Sequence, residues 1–223
     1  MGQCIWCGRK GIFVSVDRNN LCRNCQPAIY LDIQQRGRIV EESQKLIEKS
    51  ENFKTRIHRI GVILEHAQAL TQYEEKGVST ITPPPSECEK HYIDLKNELT
   101  YENITSEIEK IMNKAKIALS AKTKMTEANK AVLKIIERKK ELQDEDKIDN
   151  LNKKEKDIKN FMHKTQLNEF LEEAKKAEFK GQQSKALDKY QEALYFLQTD
   201  EIDDSLQKEK IDGIKSKISE LSK

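Results

Sequence analysis

Four of the five cysteines stand in two closely spaced pairs near the amino terminus. Two residues separate Cys4 from Cys7, two separate Cys22 from Cys25, and fourteen residues lie between the pairs. Two C-x2-C pairs at about this separation are typical of zinc sites, in which four thiolates bind one ion. A four-thiolate site has no open position for a substrate. The spacing therefore predicts one structural Zn²⁺, and it disfavours a redox dithiol, for which a single pair suffices.

The segment that must position these cysteines is too short to fold on a hydrophobic core alone. Residues 12–16 predict a short strand, residues 17–20 a turn and Leu21 the returning strand, and Pro27 suits the first turn of a helix after Cys25. This order of knuckle, hairpin and helix start resembles the treble-clef class of zinc fingers, with the zinc ribbon as the close alternative. The resemblance implies a metal-binding module over 1–28. It does not separate nucleic-acid binders from protein-interaction modules or purely structural modules.

The charge of this module offers a candidate binding surface. Its basic residues outnumber its acidic residues by four to one, and arginine suits the forked geometry of phosphate and carboxylate groups. The candidate contacts to a nucleic acid or an acidic partner are Trp6, Arg9, Lys10, Arg18 and Arg23. The alternative is that these charges are ordinary solvated side chains. Trp6 is either exposed for stacking or packed over the first long helix.

The rest of the chain has the composition of long, solvated helices. Charged residues make up 35% and hydrophobic residues 36%, and we expect a mainly α fold. The net charge of +2 is too small to predict a nucleic-acid or membrane partner by itself. No stretch approaches a membrane-spanning length, and no apolar run of the kind found in secretion signals precedes the first cysteine. We expect a cytoplasmic protein with no membrane partner.

A heptad pattern runs through the first part of this helical region. Apolar and small residues from Ile39 to Thr71 recur at alternating steps of four and three, which predicts one long helix over 29–76, with an interruption near Gly37 or Gly61 as the alternative. Gly77 ends that helix, and three consecutive prolines follow within a turn over 77–85. The triproline is interpreted as a stiff connection that reverses the chain.

Two further helices are predicted after the prolines. Ser86 and Glu89 form a capping box at the start of the first, which runs to about Leu99, and Thr100 caps a second over 101–142. The long stripes before and after the triproline are expected to pair as an antiparallel, coiled-coil-like hairpin over 29–143. Pairing between two chains in a homodimer is the alternative.

The carboxy-terminal part carries a second pattern. Residues 144–165 are highly charged and are interpreted as a linker with helical tendency. The residues that follow helix–turn–helix spacing are Phe170, Ala174, Gly181, Ala186, Tyr190 and Ala193. They resemble a single tetratricopeptide repeat over 167–199, and a third helix from Asp203 to Leu221 would complete a three-helix bundle over 166–223 that is also similar to the MIT domain. Both families bind segments of other proteins; a bundle without a ligand is the alternative.

The sequence contains no arrangement of residues typical of an enzyme. H-E-x-x-H, G-x-S-x-G and a phosphate-binding glycine loop are all lacking, and we expect no catalytic activity. Terminal modules separated by helices predict a zinc-stabilised adaptor or scaffold that mediates protein–protein interaction. A nucleic-acid-associated regulator that binds through the basic finger is the first alternative. A self-associating, structural coiled-coil protein is the second.

Overall fold

The computed structural model describes residues 2–200 and 204–222, and it confirms a mainly α fold with a small amino-terminal β-hairpin. The strands are β1 (Gly2–Gln3) and β2 (Lys10–Gly11). The helices are α1 (Gln26–Lys49), α2 (Phe53–Glu74), α3 (Pro85–Ile117), α4 (Ala121–Arg138), α5 (Glu145–Phe179), α6 (Gln183–Thr199) and α7 (Asp204–Leu221), with a 3-10 turn (Lys139–Glu141) after α4. The chain divides into two compact units between Asn103 and Ile104, so that α3 contributes to both.

The amino-terminal unit contains a helical hairpin whose turn lies earlier than predicted. The single helix expected over 29–76 is two helices, α1 and α2, which pack against each other. The chain turns at residues 50–52, where Ser50 is extended and the Asn52 side chain accepts a hydrogen bond from the Thr55 N–H at 3.0 Å. Asparagine is a strong helix N-cap. Asn52 therefore starts a new helix at a point where the heptad spacing alone predicts an unbroken one.

The core of this hairpin includes the first part of α3. The buried residues of the cluster are Val40, Ile47, Ile60, Ile63, Ala67, Cys88, Tyr92 and Leu99. Cys88 behaves as a small apolar side chain, and its burial raises the pKa of its thiol. Because residues from three helices share the cluster, the amino-terminal unit is a three-helix arrangement rather than a two-stranded coiled coil.

The first helix after the prolines begins within one residue of its predicted start at Ser86, but the later helix boundaries differ from the prediction. Thr100 does not start a new helix, because α3 runs without a break past it and its side chain is buried. The helix expected over 101–142 instead ends at Ile117. Ser120 then caps α4 by accepting a hydrogen bond from the Thr123 N–H at 3.1 Å. A capping residue acts only where the chain leaves helical geometry, and Thr100 lies inside a helix.

The carboxy-terminal unit is built from helices that pack on their neighbours in sequence. α4 packs on α5, α5 on α6 and α6 on α7. Residues 144–165, interpreted as a linker, form the start of α5, where Asp144 caps the helix and both Leu151 and Ile158 are buried. The third helix of the bundle is α7; its predicted first residue, Asp203, lies outside the described residues. Within the described ranges, none of the helices is both long enough and apolar enough to cross a bilayer.

Candidate metal centre

The four cysteine sulfurs of the amino-terminal module converge on one point. All of them lie within 4.8 Å of one another, and the Sγ atoms of Cys7 and Cys22 are 3.8 Å apart. None of the four is in a disulfide. A tetrahedral site with metal–sulfur bonds of about 2.3 Å has sulfur–sulfur edges of about 3.8 Å. The spacing of the sulfurs therefore fits one ion bound by Cys4, Cys7, Cys22 and Cys25.

The first cysteine pair is positioned by a tight turn below the β-hairpin. Gly2 pairs with Gly11 and Gln3 with Lys10. The Gly8 N–H donates to the Cys4 carbonyl and the Cys4 N–H to the Arg9 carbonyl, both at 2.9 Å. Gly8 has φ +72°, a conformation that costs glycine little. This turn returns the chain so that the sulfurs of Cys4 and Cys7 point to the same place.

The second cysteine pair stands at the start of α1. Val16 and Cys22 form an isolated antiparallel bridge, and Cys25 is the N-cap of the helix. The Cys22 carbonyl accepts hydrogen bonds from the N–H groups of Cys25 at 2.9 Å and Gln26 at 3.0 Å. The helix start after Cys25 agrees with the expectation from sequence, whereas the β-hairpin flanks the first cysteine pair instead of lying between the two pairs. The strand predicted over 12–16 does not form, because β2 ends at Gly11 and the chain turns there.

Backbone donors stabilise the charged form of the buried sulfurs. Burial raises the pKa of the Cys4 thiol, but N–H groups that include that of Cys22, 3.3 Å from the sulfur, outweigh it and lower the pKa to about 6. The N–H of Cys25 contributes most to lowering the pKa of Cys22. Burial and the neighbouring sulfurs raise the pKa of Cys25 to about 12. Four thiolates at this distance repel one another, and a divalent cation between them removes that repulsion.

Asp17 links the loop between the cysteine pairs to α1. Its Oδ1 accepts hydrogen bonds from the N–H groups of Asn19 at 3.0 Å and Leu21 at 2.9 Å. Its Oδ2 accepts from Gln26 Nε2 at 3.1 Å and from the Tyr30 hydroxyl. Burial raises the pKa of Asp17, but these bonds, led by that of Tyr30, lower it overall. The sequence predicts only a turn over 17–20, although an aspartate two residues before an asparagine is typical of an Asx-turn, in which the carboxylate binds the loop backbone.

The metal module shares a hydrophobic core with the helices. Its buried members are Leu21, Ile29, Ile33, Leu70, Tyr73 and Val78. The Trp6 ring stacks on Tyr73 of α2 with ring centroids 5.1 Å apart, and Lys76 Nζ lies 4.9 Å from the Trp6 ring centroid. Of the two alternatives for Trp6, the structure has the packed one. The module is thereby held to the carboxy-terminal end of α2 as well as to the start of α1.

The basic residues of the module are placed differently from Trp6. Arg9, Lys10, Arg18 and Arg23 are all exposed, and within the described parts of the chain none of their side chains makes a hydrogen bond or an ion pair. The predicted contact set therefore consists of four cations open to solvent and one aromatic ring engaged in packing.

The residues that resemble a tetratricopeptide repeat meet between α5 and α6. Ala174, Ala186 and Ala193 are fully buried and Tyr190 nearly so, while Phe170 packs partly buried against the same cluster. Gly181 has φ +70° in the turn between the two helices. Small residues at this contact let the two helices approach closely. These packing positions come together in space, but they do not by themselves reveal a ligand.

A polar cluster that sequence reasoning missed links all three helices of this bundle. His163 Nε2 of α5 lies 2.6 Å from Asp200 Oδ2 at the end of α6, and the His163 ring stacks on Phe196 with centroids 4.8 Å apart. Gln207 of α7 donates from Nε2 to both carboxylate oxygens of Asp200, at 3.1 and 3.0 Å. Nothing in the sequence spacing relates residue 163 to 200 or 207, so the sequence pattern alone does not predict this cluster.

Comparison of the chain with protein-family models, curated proteins and solved structures gave no match. The four-cysteine cluster and the helical fold are therefore the observations from which a function must be argued.

Proposed function

We propose that this chain is a non-enzymatic adaptor in which one Zn²⁺ stabilises the amino-terminal module and the helices bind a protein partner. The observation that carries the proposal is the way the cysteine cluster is built into the helical unit. Asp17 bonds to Tyr30 of α1, and Trp6 stacks on Tyr73 of α2. A metal site that shares a core with helices contributes to folding rather than to chemistry on a substrate.

Zinc is the ion that the ligand set favours. Tetrahedral four-sulfur sites in proteins hold zinc or iron, and zinc with four cysteines is typical of structural sites. Elemental analysis of protein purified without added metal tests the assignment. We expect one equivalent of zinc and a colourless protein. An equivalent of iron, with the visible absorption of iron–thiolate bonds, would replace zinc in the proposal; no metal at all would remove its basis.

The surface of the carboxy-terminal unit supports a protein partner. Leu133 and Ile136 lie three residues apart on α4, so they share a face, and their exposed fractions are 57% and 47%. Tyr195 on α6 is also exposed. Apolar side chains that remain open to water on helices of this kind are suited to binding a helix or an extended segment of another protein.

Cross-linking in the native cells, followed by reconstitution with purified proteins, tests the adaptor role. We expect at least one recovered protein to bind the purified chain directly, and the double variant Leu133→Lys and Ile136→Lys to weaken binding at least about tenfold. Leu31→Lys, at a side chain 54% exposed on α1, is the matched control and should bind normally. If no recovered protein reconstitutes, or if the control weakens binding as much as the double variant, the adaptor proposal is wrong.

Nucleic-acid binding through the finger is a second candidate, favoured by its four solvent-exposed cations. If Arg9, Lys10, Arg18 and Arg23 all contact phosphates of a single strand, the slope of log K against log salt should be about −3. Anisotropy of a labelled oligonucleotide measures that slope. The variant Arg9→Glu and Arg23→Glu should reduce it by about half. A slope near zero, or binding that survives the charge reversal, excludes this candidate.

The self-associating alternative receives less support. Its predicted seam included Ser43, Ile60 and Ala67, and each of these residues is buried within the amino-terminal unit. Side chains already packed inside one chain are not available to a second copy. Light scattering of the full chain tests this; we expect the mass of a monomer, and a concentration-dependent dimer would restore the alternative.

A further inference from the structure

Two large apolar side chains stand unpacked at the tip of the metal module. Ile12 is 75% exposed and Phe13 is 95% exposed. They are neighbours in the turn that follows β2, in the segment where the sequence predicted a strand. A strand would have buried one of the two, whereas the turn presents both to solvent. Side chains this exposed bury little apolar surface within the fold, and adjacent exposed apolar residues are typical of binding surfaces.

The turn that carries them is a defined structure. The Val14 N–H donates to the Gly11 carbonyl at 3.2 Å and closes the turn around Ile12 and Phe13. Gly2 of β1 lies directly against Val14, since a Cβ at Gly2 would stand 2.3 Å from the Val14 carbonyl oxygen. The turn is thus fixed against the hairpin, and the hairpin is fixed by the cysteine cluster. The apolar pair is held outward by the fold.

The surroundings of the tip are cationic. Arg9 and Lys10 lead directly into the turn, are exposed, and make no ion pair within the described residues. The first acidic residue of the chain is Asp17, and its carboxylate is occupied by hydrogen bonds to the loop and to α1. A convex apolar tip beside unpaired cations is complementary to a surface with negative charge outside and hydrocarbon beneath.

Among anionic partners, a lipid bilayer fits this tip better than a nucleic acid does. Single-strand binding uses several aromatic rings on which successive bases stack, but in this module Trp6 is stacked on Tyr73 and the Tyr30 hydroxyl is bonded to Asp17. Phe13 is then the one ring left open among the described residues of the module. Ile12 offers no stacking face, whereas both side chains enter the interfacial region of a bilayer favourably.

We propose that the Ile12–Phe13 tip, with Arg9 and Lys10 beside it, docks reversibly on the surface of an anionic phospholipid bilayer. The apolar pair enters the interface, and the two cations lie among the headgroups. Such contact needs no spanning helix, and it goes beyond the adaptor role, which it neither requires nor replaces. It revises the expectation, drawn from net charge and hydropathy, that no membrane partner exists.

Co-sedimentation of the full metal-loaded chain with vesicles tests the proposal. We expect binding to phosphatidylcholine vesicles that contain phosphatidylserine, little binding to phosphatidylcholine alone, and a loss of binding at about 0.5 M salt, where charges are strongly screened. Ile12→Ser with Phe13→Ser should weaken binding at least about tenfold. Arg9→Glu with Lys10→Glu should weaken it by a similar factor.

Matched controls distinguish binding through the tip from nonspecific adsorption of the protein to vesicles. Ile117→Ser with Leu119→Ser replaces another exposed apolar pair by serine, and Lys153→Glu reverses an exposed charge elsewhere; both should bind as the unchanged protein does. Metal content and thermal melting verify that the tip variants remain folded.

Three results would overturn the proposal. The first is no binding of the unchanged protein to anionic vesicles. The second is equal loss of binding in the tip variants and their controls. The third is a single-stranded oligonucleotide that binds the unchanged protein more tightly than the vesicles do and is lost with Phe13, which would assign the tip to nucleic acid.

Discussion

Asp17 offers a direct test of how the metal module is attached to the helices. One of its carboxylate oxygens accepts hydrogen bonds from the loop, and the other accepts them from α1. Oδ1 accepts the backbone N–H groups of Asn19 and Leu21 and so shapes the loop. Oδ2 accepts from Gln26 and Tyr30 and so joins the loop to α1. Asp17→Ala removes both functions. Asp17→Asn keeps an oxygen for the loop but places an amide donor where Gln26 and Tyr30 need an acceptor.

The magnitudes follow from this division. Hydrogen bonds to a charged group contribute about 1.5–3 kcal/mol each when buried, and water replaces part of that at a half-buried site. Losing four such bonds in Asp17→Ala should cost about 3–4 kcal/mol of stability of the metal-bound module. Asp17→Asn, which keeps the two backbone bonds, should cost about 1–2 kcal/mol. Because metal binding is coupled to folding of the module, the same energies should appear as weaker metal affinity, about 150- to 900-fold for Asp17→Ala and about 5- to 30-fold for Asp17→Asn.

Competition with a chromophoric chelator measures these affinities, and urea unfolding measures the stabilities. Tyr30→Phe, which removes only the hydroxyl, is the companion variant and should resemble Asp17→Asn rather than Asp17→Ala. The reasoning is refuted if Asp17→Asn is as damaging as Asp17→Ala, since the attachment to α1 would then not be separable from the loop. It is equally refuted if both variants stay within about 0.5 kcal/mol of the unchanged protein, the range of ordinary surface substitutions.

Three further predictions concern the same unit. Gly2→Ala should destabilise the module by about 1–3 kcal/mol in urea unfolding, because the new Cβ would stand 2.3 Å from the Val14 carbonyl oxygen and the hairpin must shift; a neutral result would mean that the turn is not held against β1. Trp6→Ala should cost about 3–4 kcal/mol through loss of its packing on Tyr73, and calorimetry that shows no fall in melting temperature would contradict that contact. Burial raises the pKa of Asp32, but the Tyr73 hydroxyl at 2.8 Å and the Arg36 guanidinium lower it below its usual 3.8. The stabilisation from this carboxylate is therefore present above about pH 4 and lost as pH falls through the lower folded value, so the stability difference between Asp32→Asn and the unchanged protein should shrink on acidification, and a difference that grew would reverse the assignment.

The cysteine cluster could be predicted from sequence because the chemistry is local. Two residues between Cys4 and Cys7 and between Cys22 and Cys25 limit how the chain can turn, and both sulfurs of a pair can then reach one ion. The attachment of the cluster could not be predicted in the same way. Tyr73 lies far along the chain from Trp6, and no periodicity relates the two residues.

Helical content was predictable, but the positions of the turns were not. The heptad pattern continues through residues 50–52. In the structure α1 ends before these residues, and Asn52 caps the start of α2. At Thr100 the opposite occurred: a residue with capping preference lies buried inside α3. Local preference and burial compete at each such site, and only the tertiary structure decides which is stronger. The exposure of Ile12 and Phe13 is likewise not decided by local preference, because a strand and a tight turn suit their sequence almost equally.

Helices α5 and α6 both carry buried alanines. Ala174, Ala177, Ala186 and Ala193 are each almost completely buried, and side chains this small let neighbouring helices approach closely. These buried positions do not accept larger side chains. A side chain one or two carbons longer at any of these alanines would act as a wedge, and no rotation about its bonds would make room. Over generations this seam should stay nearly unaltered while the charged outer faces of the same helices drift freely.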